Sequence, residues 1–149
     1  TTIVTVAIFD NQVVVYNIGD SSAYGLTKDN AMNIVTVEDS FVGALISAGA
    51  ITEEEAKSHP ERHVLTQALA TRESIDLHTF IDDLNKYDYF LLCSDGLTNM
   101  IENDEIQNIV RNNELSIAVD DLIEKCVNRG GVDNISVAII KNLGGENHD

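Results

Sequence analysis

Hydrophobic residues in this chain fall into short runs of strand length, separated by segments in which they recur at helical spacing. Two runs rich in β-branched residues, 2–9 and 12–18, are separated by only two polar residues, which predicts a β-hairpin closed by a two-residue turn. A short strand over 23–27 and a polar loop over 28–33 are expected to follow. The chain therefore opens with β-structure.

The most continuous apolar run covers 89–93, where no polar residue alternates with the apolar and aromatic ones. Such a run is typical of a strand buried on both faces. Ser94, Asp95 and Gly96 follow it directly. The strand would hold the Asp95 carboxylate at a fixed point on a rigid support, although Asp-Gly is also among the commonest turn sequences. The local pattern leaves both interpretations open.

Helical segments are predicted between these two strand regions. Apolar residues recur at helical spacing over 40–48, and a glycine follows them. Residues 52–55, Thr-Glu-Glu-Glu, fit a capping box that begins a short helix, and this helix must end before Pro60. A short element over 64–69 and a strand over 75–81 are expected before the buried strand.

Two more helices and a final strand are predicted after the buried strand. One helix covers 104–110, and the other is capped by Ser116 and ends at the glycine pair 130–131. The apolar stripe of the second helix, which is expected to face the core, consists of Leu122, Ile123, Cys126 and Val127. The last strand covers 135–141, and a frayed tail is expected over 142–149.

The order of the elements is strands, an inserted helical region, strands, a helical pair and a last strand. This order predicts an α+β layout rather than regular βαβ alternation. The chain has 149 residues, of which 44% are hydrophobic and one is proline, so it can bury a core. We therefore expect a single domain over 1–141.

Composition changes this picture mainly through charge. The chain has 9 Lys and Arg against 25 Asp and Glu, a formal net charge of −16. Such an acidic balance repels polyphosphate backbones and anionic bilayers, so neither nucleic acid nor a membrane surface is expected as a partner. It is compatible with cation binding.

Cys93 and Cys126 are the only cysteines, and both lie in apolar patterns without metal-ligand spacing. They predict buried thiols in a reducing compartment. Because no apolar segment has the length of a membrane span and no leader pattern opens the chain, a cytoplasmic location is expected. The sequence begins directly in strand residues at Thr1, so it is expected to be part of a longer protein.

Candidate chemistry lies where strands end. Asp20 follows Gly19, Asp95 precedes Gly96, and Asp133 closely follows the glycine pair 130–131. Each is an ordinary turn composition when seen alone. Three such placements suggest that the aspartates gather at one sheet edge and bind Mg²⁺ or Mn²⁺ through carboxylate oxygens. Two such ions close together can activate a water and stabilise the charge on a phosphoryl group.

Short motifs follow one another along the chain: Thr-Thr at 1–2, NIGDS at 17–21, TVEDS at 36–40, GAITEEEA at 49–56, His-Pro at 59–60, LCSDG at 92–96 and GGVDN at 130–134. In this order they resemble the metal-dependent protein phosphatase 2C family of serine/threonine phosphatases, in its bacterial form. The resemblance runs along nearly the whole chain.

The resemblance implies a β-sandwich of two antiparallel sheets flanked by helices, with a binuclear Mn²⁺ or Mg²⁺ centre at one end. It implies that a metal-activated water hydrolyses phosphoserine or phosphothreonine in proteins, in opposition to a serine/threonine kinase. By position, Asp95 and Asp133 resemble ligands of the two metals, and Asp20 resembles a ligand of a third, weaker site. Residues 38–60 resemble the flap that influences substrate access in the family.

The resemblance also implies that the family's first third is missing here. That third carries an Asp-Gly-x-Gly-Gly motif whose aspartate bridges the metals, a further acidic ligand and a phosphate-binding arginine. We therefore expect an incomplete sandwich without its N-terminal strands. The 149 residues alone are expected to be inactive and not a stable monomer.

Three departures from the family pattern affect details. Asn99 stands where many bacterial members place a third-metal aspartate, so the third metal is expected to be weak or absent. Ser22 replaces a usual arginine, and Ala70 a common glycine. The alternative function is a catalytically silent regulatory or binding module. A calcium-binding structural domain is disfavoured because no loop carries carboxylates at alternate positions.

Overall fold

The computed structural model describes residues 1–71 and 74–144. The elements in this part of the chain are β1 (Ile3–Phe9), β2 (Gln12–Ile18), β3 (Ser22–Thr27), β4 (Met32–Ile34), α1 (Phe41–Ser47), α2 (Glu53–Lys57), β5 (His78–Asp83), a 3-10 turn (Leu84–Lys86), β6 (Tyr87–Cys93), α3 (Asp95–Thr98), α4 (Asn103–Asn112), α5 (Leu115–Asn128) and β7 (Val137–Lys141). No helix described here is both long and apolar enough to cross a membrane.

The strands form two antiparallel sheets. The first has the order β1-β2-β5 and the second the order β4-β3-β6-β7. One apolar cluster, with Val13, Val15 and Phe90, joins the two sheets. A second cluster, with Leu91 and Leu122, joins the other face of the second sheet to α3, α4 and α5. This arrangement confirms the predicted α+β fold, a two-sheet antiparallel sandwich flanked by helices.

The two strongest strand predictions are confirmed. Phe9 pairs with Gln12, so the hairpin turn has two residues, and Asp10 adopts a left-handed φ of +51° there. The apolar run lies in β6, which pairs with β3 on one side and β7 on the other. Phe90 and Leu91 are fully buried on its opposite faces. A central strand of this kind gives whatever follows it a rigid support.

Helix ends follow the local sequence in most places. Ser40 caps α1 by accepting a hydrogen bond from Gly43 N, and the capping box between Thr52 and Glu55 is present at α2. The chain leaves α5 through Gly130 and Gly131, whose φ values of +122° and +53° suit glycine. The capping box and the glycine pair after α5 confirm the sequence predictions, whereas the Ser40 cap was not predicted.

Two expectations for α5 are wrong. Its first hydrogen bond runs from Ala118 N to Glu114 O, so Glu114 occupies the cap position and Ser116 lies inside the first turn. Val127 is 59% exposed. Ala118, Leu122 and Cys126, spaced by four residues, form the buried stripe, and the residue after Cys126 is turned about 100° away from it.

Strand limits differ where contacts distant in sequence decide them. The predicted loop 28–33 contains the start of β4, because β3 offers it a pairing edge. The strand predicted over 75–81 begins only at His78, because the side chain of Gln67 takes both backbone groups of Asp76. Residues 64–69 form no helix or strand and are joined to Ser40 by a single bridge.

The structure also describes Ala70 and the beginning of the predicted tail. Ala70, where the family has a common glycine, lies at a left-handed φ of +66°. Asn142 donates hydrogen bonds to the carbonyl oxygens of Leu84 and Tyr87 at 3.1 and 2.9 Å. The rest of the predicted tail, 145–149, lies outside the described residues.

Candidate metal centre

Three chain segments converge at the edge of the second sheet where β6 ends. The first residue of β3 and the first residue of β7 both pair with Cys93, the last residue of β6. Asp20 lies two residues before β3, Asp95 two residues after Cys93, and Asp133 four residues before β7. The sheet register therefore brings the segments of all three sequence-predicted ligands to one edge.

The pKa of Asp20 responds to burial and to the other carboxylates at this edge. Burial raises the pKa of Asp20 above its ordinary value, and the charges of Asp95, Glu38 and Asp133 raise it further. Like charges are thus held together at this edge. Glu38 was not among the sequence-predicted ligands, although it lies in the motif at 36–40, and its effect on the pKa of Asp20 reveals it.

Ser94 fastens the end of β6 to the segment that carries Asp133. Its hydroxyl donates to Asn134 O at 3.2 Å and accepts from Ser136 N at 3.0 Å. Its own N–H donates to Ser136 O at 3.1 Å. Since these bonds come from the residue next to Asp95, they fix the position of the Asp133 segment relative to Asp95.

Gly96 allows the closest backbone approach at this edge. A Cβ atom at this position would lie 2.3 Å from Asn134 O, far inside the contact distance of any carbon and oxygen. Gly96 therefore lets α3 begin directly against the chain that follows Asp133. Asp133 itself is exposed, and its Oδ1 accepts from Asn134 N at 2.7 Å.

Asn99 lies beside Asp95, as its spacing of four residues suggests. Its Nδ2 donates to Asp95 Oδ2 at 3.4 Å, from the C-cap position directly after α3. The amide brings no negative charge to the edge. The weak or absent third metal implied by Asn99 stays a prediction.

The carboxylate oxygens of Asp20, Asp95 and Asp133 are of the chemical type that binds a hard divalent cation. Carboxylate oxygens are the ligands that Mg²⁺ and Mn²⁺ prefer. In the parts of the chain that the structure describes, no three His, Cys, Asp or Glu side chains are grouped closely enough to hold a metal ion. The repulsion around Asp20 is compatible with that, because it acts over about 10 Å whereas coordination requires about 2.0–2.6 Å. Whether these carboxylates belong to such a site therefore stays a prediction, and any complete site would need further ligands.

The two cysteines lie in the core beside this edge. Cys93 and Cys126 are both buried and free, as the sequence predicted. Burial raises the pKa of Cys93, and the charge of Asp95 adds to this, so that the pKa is about 12. Burial also raises the pKa of Cys126. Both thiols are thus held in their unreactive protonated form.

We expect both thiols to resist Ellman's reagent in the folded protein at pH 8. With a pKa of about 12, only about one Cys93 side chain in 10,000 would be a thiolate at that pH. The absorbance of released thionitrobenzoate should be near zero in the folded protein. After unfolding in guanidinium chloride, it should correspond to the reaction of both thiols. Rapid reaction of either thiol without denaturant would contradict the buried position.

No family model matches the chain. It is 38% identical over 143 residues to a 2C-type protein phosphatase of Streptococcus pyogenes, covering 95% of this chain and 58% of that protein. It is 41% identical over 143 residues to the protein phosphatase PhpP of Streptococcus pneumoniae, covering 94% of this chain and 57% of PhpP.

Solved structures give the same result. The serine/threonine phosphatase Stp1 of Staphylococcus aureus superimposes with a TM-score of 0.88 at 34% identity, over 97% of this chain and 56% of Stp1. The catalytic domain of the phosphatase PstP, in complex with two manganese ions, gives a TM-score of 0.78 at 28% identity, over 93% of this chain and 56% of PstP.

The chain thus spans little more than half the length of the relatives that it matches, between 56% and 58%. Over nearly the whole of this chain, both the sequence identity and the structural superposition point to the same group of proteins. On these similarities, the chain corresponds to a part of the bacterial 2C-type protein phosphatases, to which it is similar over nearly its whole length.

Proposed function

We propose that this chain takes part in the metal-dependent hydrolysis of phosphoserine and phosphothreonine in proteins. The observation that carries the proposal is the sheet register, which brings the segments of Asp20, Asp95 and Asp133 to one sheet edge. The relatives of this chain are named protein serine/threonine phosphatases. Carboxylates of like charge that come together at one sheet edge are suited to a divalent cation.

Each residue at this edge has a proposed role. Asp95 and Asp133 hold two Mn²⁺ or Mg²⁺ ions, and Asp20 contributes to a weaker third. When bound, such ions supply positive charge to phosphoryl oxygens and acidify a water. Ser94 and Gly96 keep the Asp133 segment against the end of β6. The manganese ions in the PstP structure support the choice of metal.

We propose that residues 1–141 belong to one domain and that 38–60 form a flap over the edge. The flap-like segment contains α1 and α2. Its helices lie outside both sheets, which suits a part that influences substrate access rather than chemistry. The substrates would be proteins that a serine/threonine kinase of the same cell has phosphorylated. The buried free thiols support a reducing, cytoplasmic location.

We further propose that the activity needs more protein than these 149 residues. The relatives are longer, since the chain spans between 56% and 58% of their length. The outer face of the first sheet also presents apolar side chains to solvent, with Phe9 at 61% and Ile81 at 58% exposure. An uncovered apolar sheet face of this kind is suited to further chain.

The test compares the 149-residue chain with the complete product of its gene. Both are purified and assayed with a phosphothreonine peptide in Mn²⁺ and in EDTA. We expect hydrolysis only by the complete protein in Mn²⁺, with the shorter chain at background. Hydrolysis by the shorter chain would contradict the need for further residues. A complete, folded protein that binds Mn²⁺ and hydrolyses nothing would instead favour the silent regulatory module.

A further inference from the structure

A buried carboxylate lies behind the candidate metal centre, on an aspartate to which no role has been assigned. Asp39 is only 8% exposed. Its Oδ2 accepts hydrogen bonds from Gly19 N at 2.8 Å and from Gln67 Nε2 at 3.1 Å. Its Oδ1 accepts from His78 Nε2 at 2.7 Å. Both carboxylate oxygens are therefore used by donors from three separate segments.

Backbone hydrogen bonds reinforce the same junction. Asp39 N donates to Gly19 O at 3.0 Å, and Thr66 N donates to Asp39 O at 2.8 Å. Gln67 in turn accepts from Asp76 N at 2.6 Å and donates to Asp76 O at 2.8 Å. Asp39 thus connects the chain before α1, the chain after α2 and the approach to β5.

The hydrogen bond from Gly19 connects Asp39 to the metal edge. Gly19 immediately precedes Asp20, and it adopts a left-handed φ of +99°. A Cβ atom on Gly19 would lie 2.3 Å from Thr2 Cγ2, so the turn has no room to shift toward β1. The two hydrogen bonds between Gly19 and Asp39 hold the turn from the other side.

The carboxylate is charged in this environment. Burial raises the pKa of Asp39, but the hydrogen bonds from Gly19, His78 and Gln67 outweigh burial and hold the pKa below its ordinary value. An ionised carboxylate accepts at both oxygens, whereas an amide of the same shape accepts at only one. Asparagine would therefore leave at least one of the donors facing an NH₂ group.

We propose that Asp39 is a positioning residue, which sets the location of Asp20 and couples it to the base of the helical insertion formed by α1 and α2. The metal-directed part of this inference rests on the proposed function. Asp39 touches neither metal nor substrate; it acts through the Gly19 amide on one side and through Gln67 on the other. Movement of the insertion is thereby transmitted to the metal edge.

The test uses Asp39→Asn in the complete protein. We expect the dissociation constant for Mn²⁺, measured by calorimetry without substrate, to rise about ten-fold, as for other residues that orient metal ligands. Limited trypsin digestion should cut faster within the insertion at Lys57, the last residue of α2. Peptide hydrolysis should need more Mn²⁺, with kcat largely restored at saturating Mn²⁺.

Two variants make the comparison sharp. Asp120→Asn removes the same charge from an exposed position on α5, and it should leave Mn²⁺ affinity and digestion unchanged. His78→Ala removes one of the three side-chain contacts, and its Mn²⁺ affinity should lie between those of Asp120→Asn and Asp39→Asn. If Asp39→Asn does not fold, the difference between His78→Ala and Asp120→Asn decides the result.

The outcomes separate this inference from the proposed function. The positioning role would be overturned if Asp39→Asn and His78→Ala had the same Mn²⁺ affinity and the same rate of digestion as Asp120→Asn. This conclusion would hold whatever the activity of the variants. If the wild-type protein hydrolyses no phosphopeptide, the proposed function fails, while calorimetry and digestion still decide whether Asp39 positions the edge. Weaker Mn²⁺ binding together with faster digestion of the insertion supports the coupling.

Discussion

Replacing Asp95 by asparagine is expected to abolish phosphatase activity in the complete protein without unfolding it. Asp95 is a proposed ligand of the binuclear centre, and among the described residues its carboxylate accepts a single long hydrogen bond, from Asn99 Nδ2 at 3.4 Å. We expect Asp95→Asn to lower kcat/KM for a phosphothreonine peptide at least about 1,000-fold, equivalent to about 4 kcal/mol of transition-state stabilisation. Steady-state kinetics at several Mn²⁺ concentrations measure this change.

The same substitution should stabilise the metal-free protein. The charge of Asp95 raises the pKa of Asp20 above its ordinary value of 3.8. A carboxyl with a raised pKa in the folded state costs stability as the pH rises through that pKa, because the folded state must then ionise it against repulsion. Asp95→Asn removes part of this cost. The variant should therefore have a higher free energy of unfolding than the wild type at neutral pH, and this difference should vanish below the ordinary pKa of Asp20.

Thermal denaturation in EDTA at pH 7 and at pH 3.5 tests this expectation. The exposed Asp120→Asn variant is the control for the loss of one charge, and it should show neither the stability gain nor the loss of activity. An Asp95→Asn protein that keeps wild-type kcat/KM would remove Asp95 from the proposed site. A large stability loss at neutral pH would show instead that Asp95 holds the fold together.

The sequence could predict what depends on local pattern. The unbroken apolar run 89–93 identified the central strand β6, and Asp95 at its end lies where that pattern placed it. The capping box at Thr52 and Glu55 also needs only neighbouring residues, and it was found at the predicted position. Buried strands and local caps can be predicted from the sequence because few other local structures suit the same residues.

What the sequence missed depends on contacts between distant segments. β4 forms because β3 offers an edge, and β5 starts late because Gln67 binds the backbone of Asp76 nine residues away. Glu38 acts on the pKa of Asp20 from 18 residues away, and Asp39 contacts His78 across 39 residues. Turn-like sequences such as these acquire a role only once the sheets have brought them together.

Gly96 should tolerate no side chain, and Gly96→Ala is expected to damage both stability and activity. Its backbone is not left-handed, so alanine would ordinarily stabilise a helical position such as this by up to about 1 kcal/mol. Here the added Cβ would lie 2.3 Å from Asn134 O and 3.1 Å from Asn134 C. Because both are backbone atoms, either α3 or the chain after Asp133 must move.

We expect Gly96→Ala to lose about 2–3 kcal/mol of unfolding free energy, typical of an overpacked site. The loss in kcat/KM should be larger, about 100-fold, because displacing Asp133 from Asp95 by about 1 Å disrupts the site. Urea denaturation and steady-state kinetics measure the two effects.

Gly49→Ala is the matched control for Gly96→Ala. Nothing lies within 4 Å of its Cβ position, but its φ is +68°, so it should lose only about 1 kcal/mol through backbone strain and keep its Mn²⁺ affinity. If Gly96→Ala matched wild type in both stability and kcat/KM, the close approach of α3 to Asn134 would not be what fixes the distance between Asp95 and Asp133. If it lost stability but not activity, that approach would serve the fold alone, and Ser94 would remain as the contact that orients the metal edge.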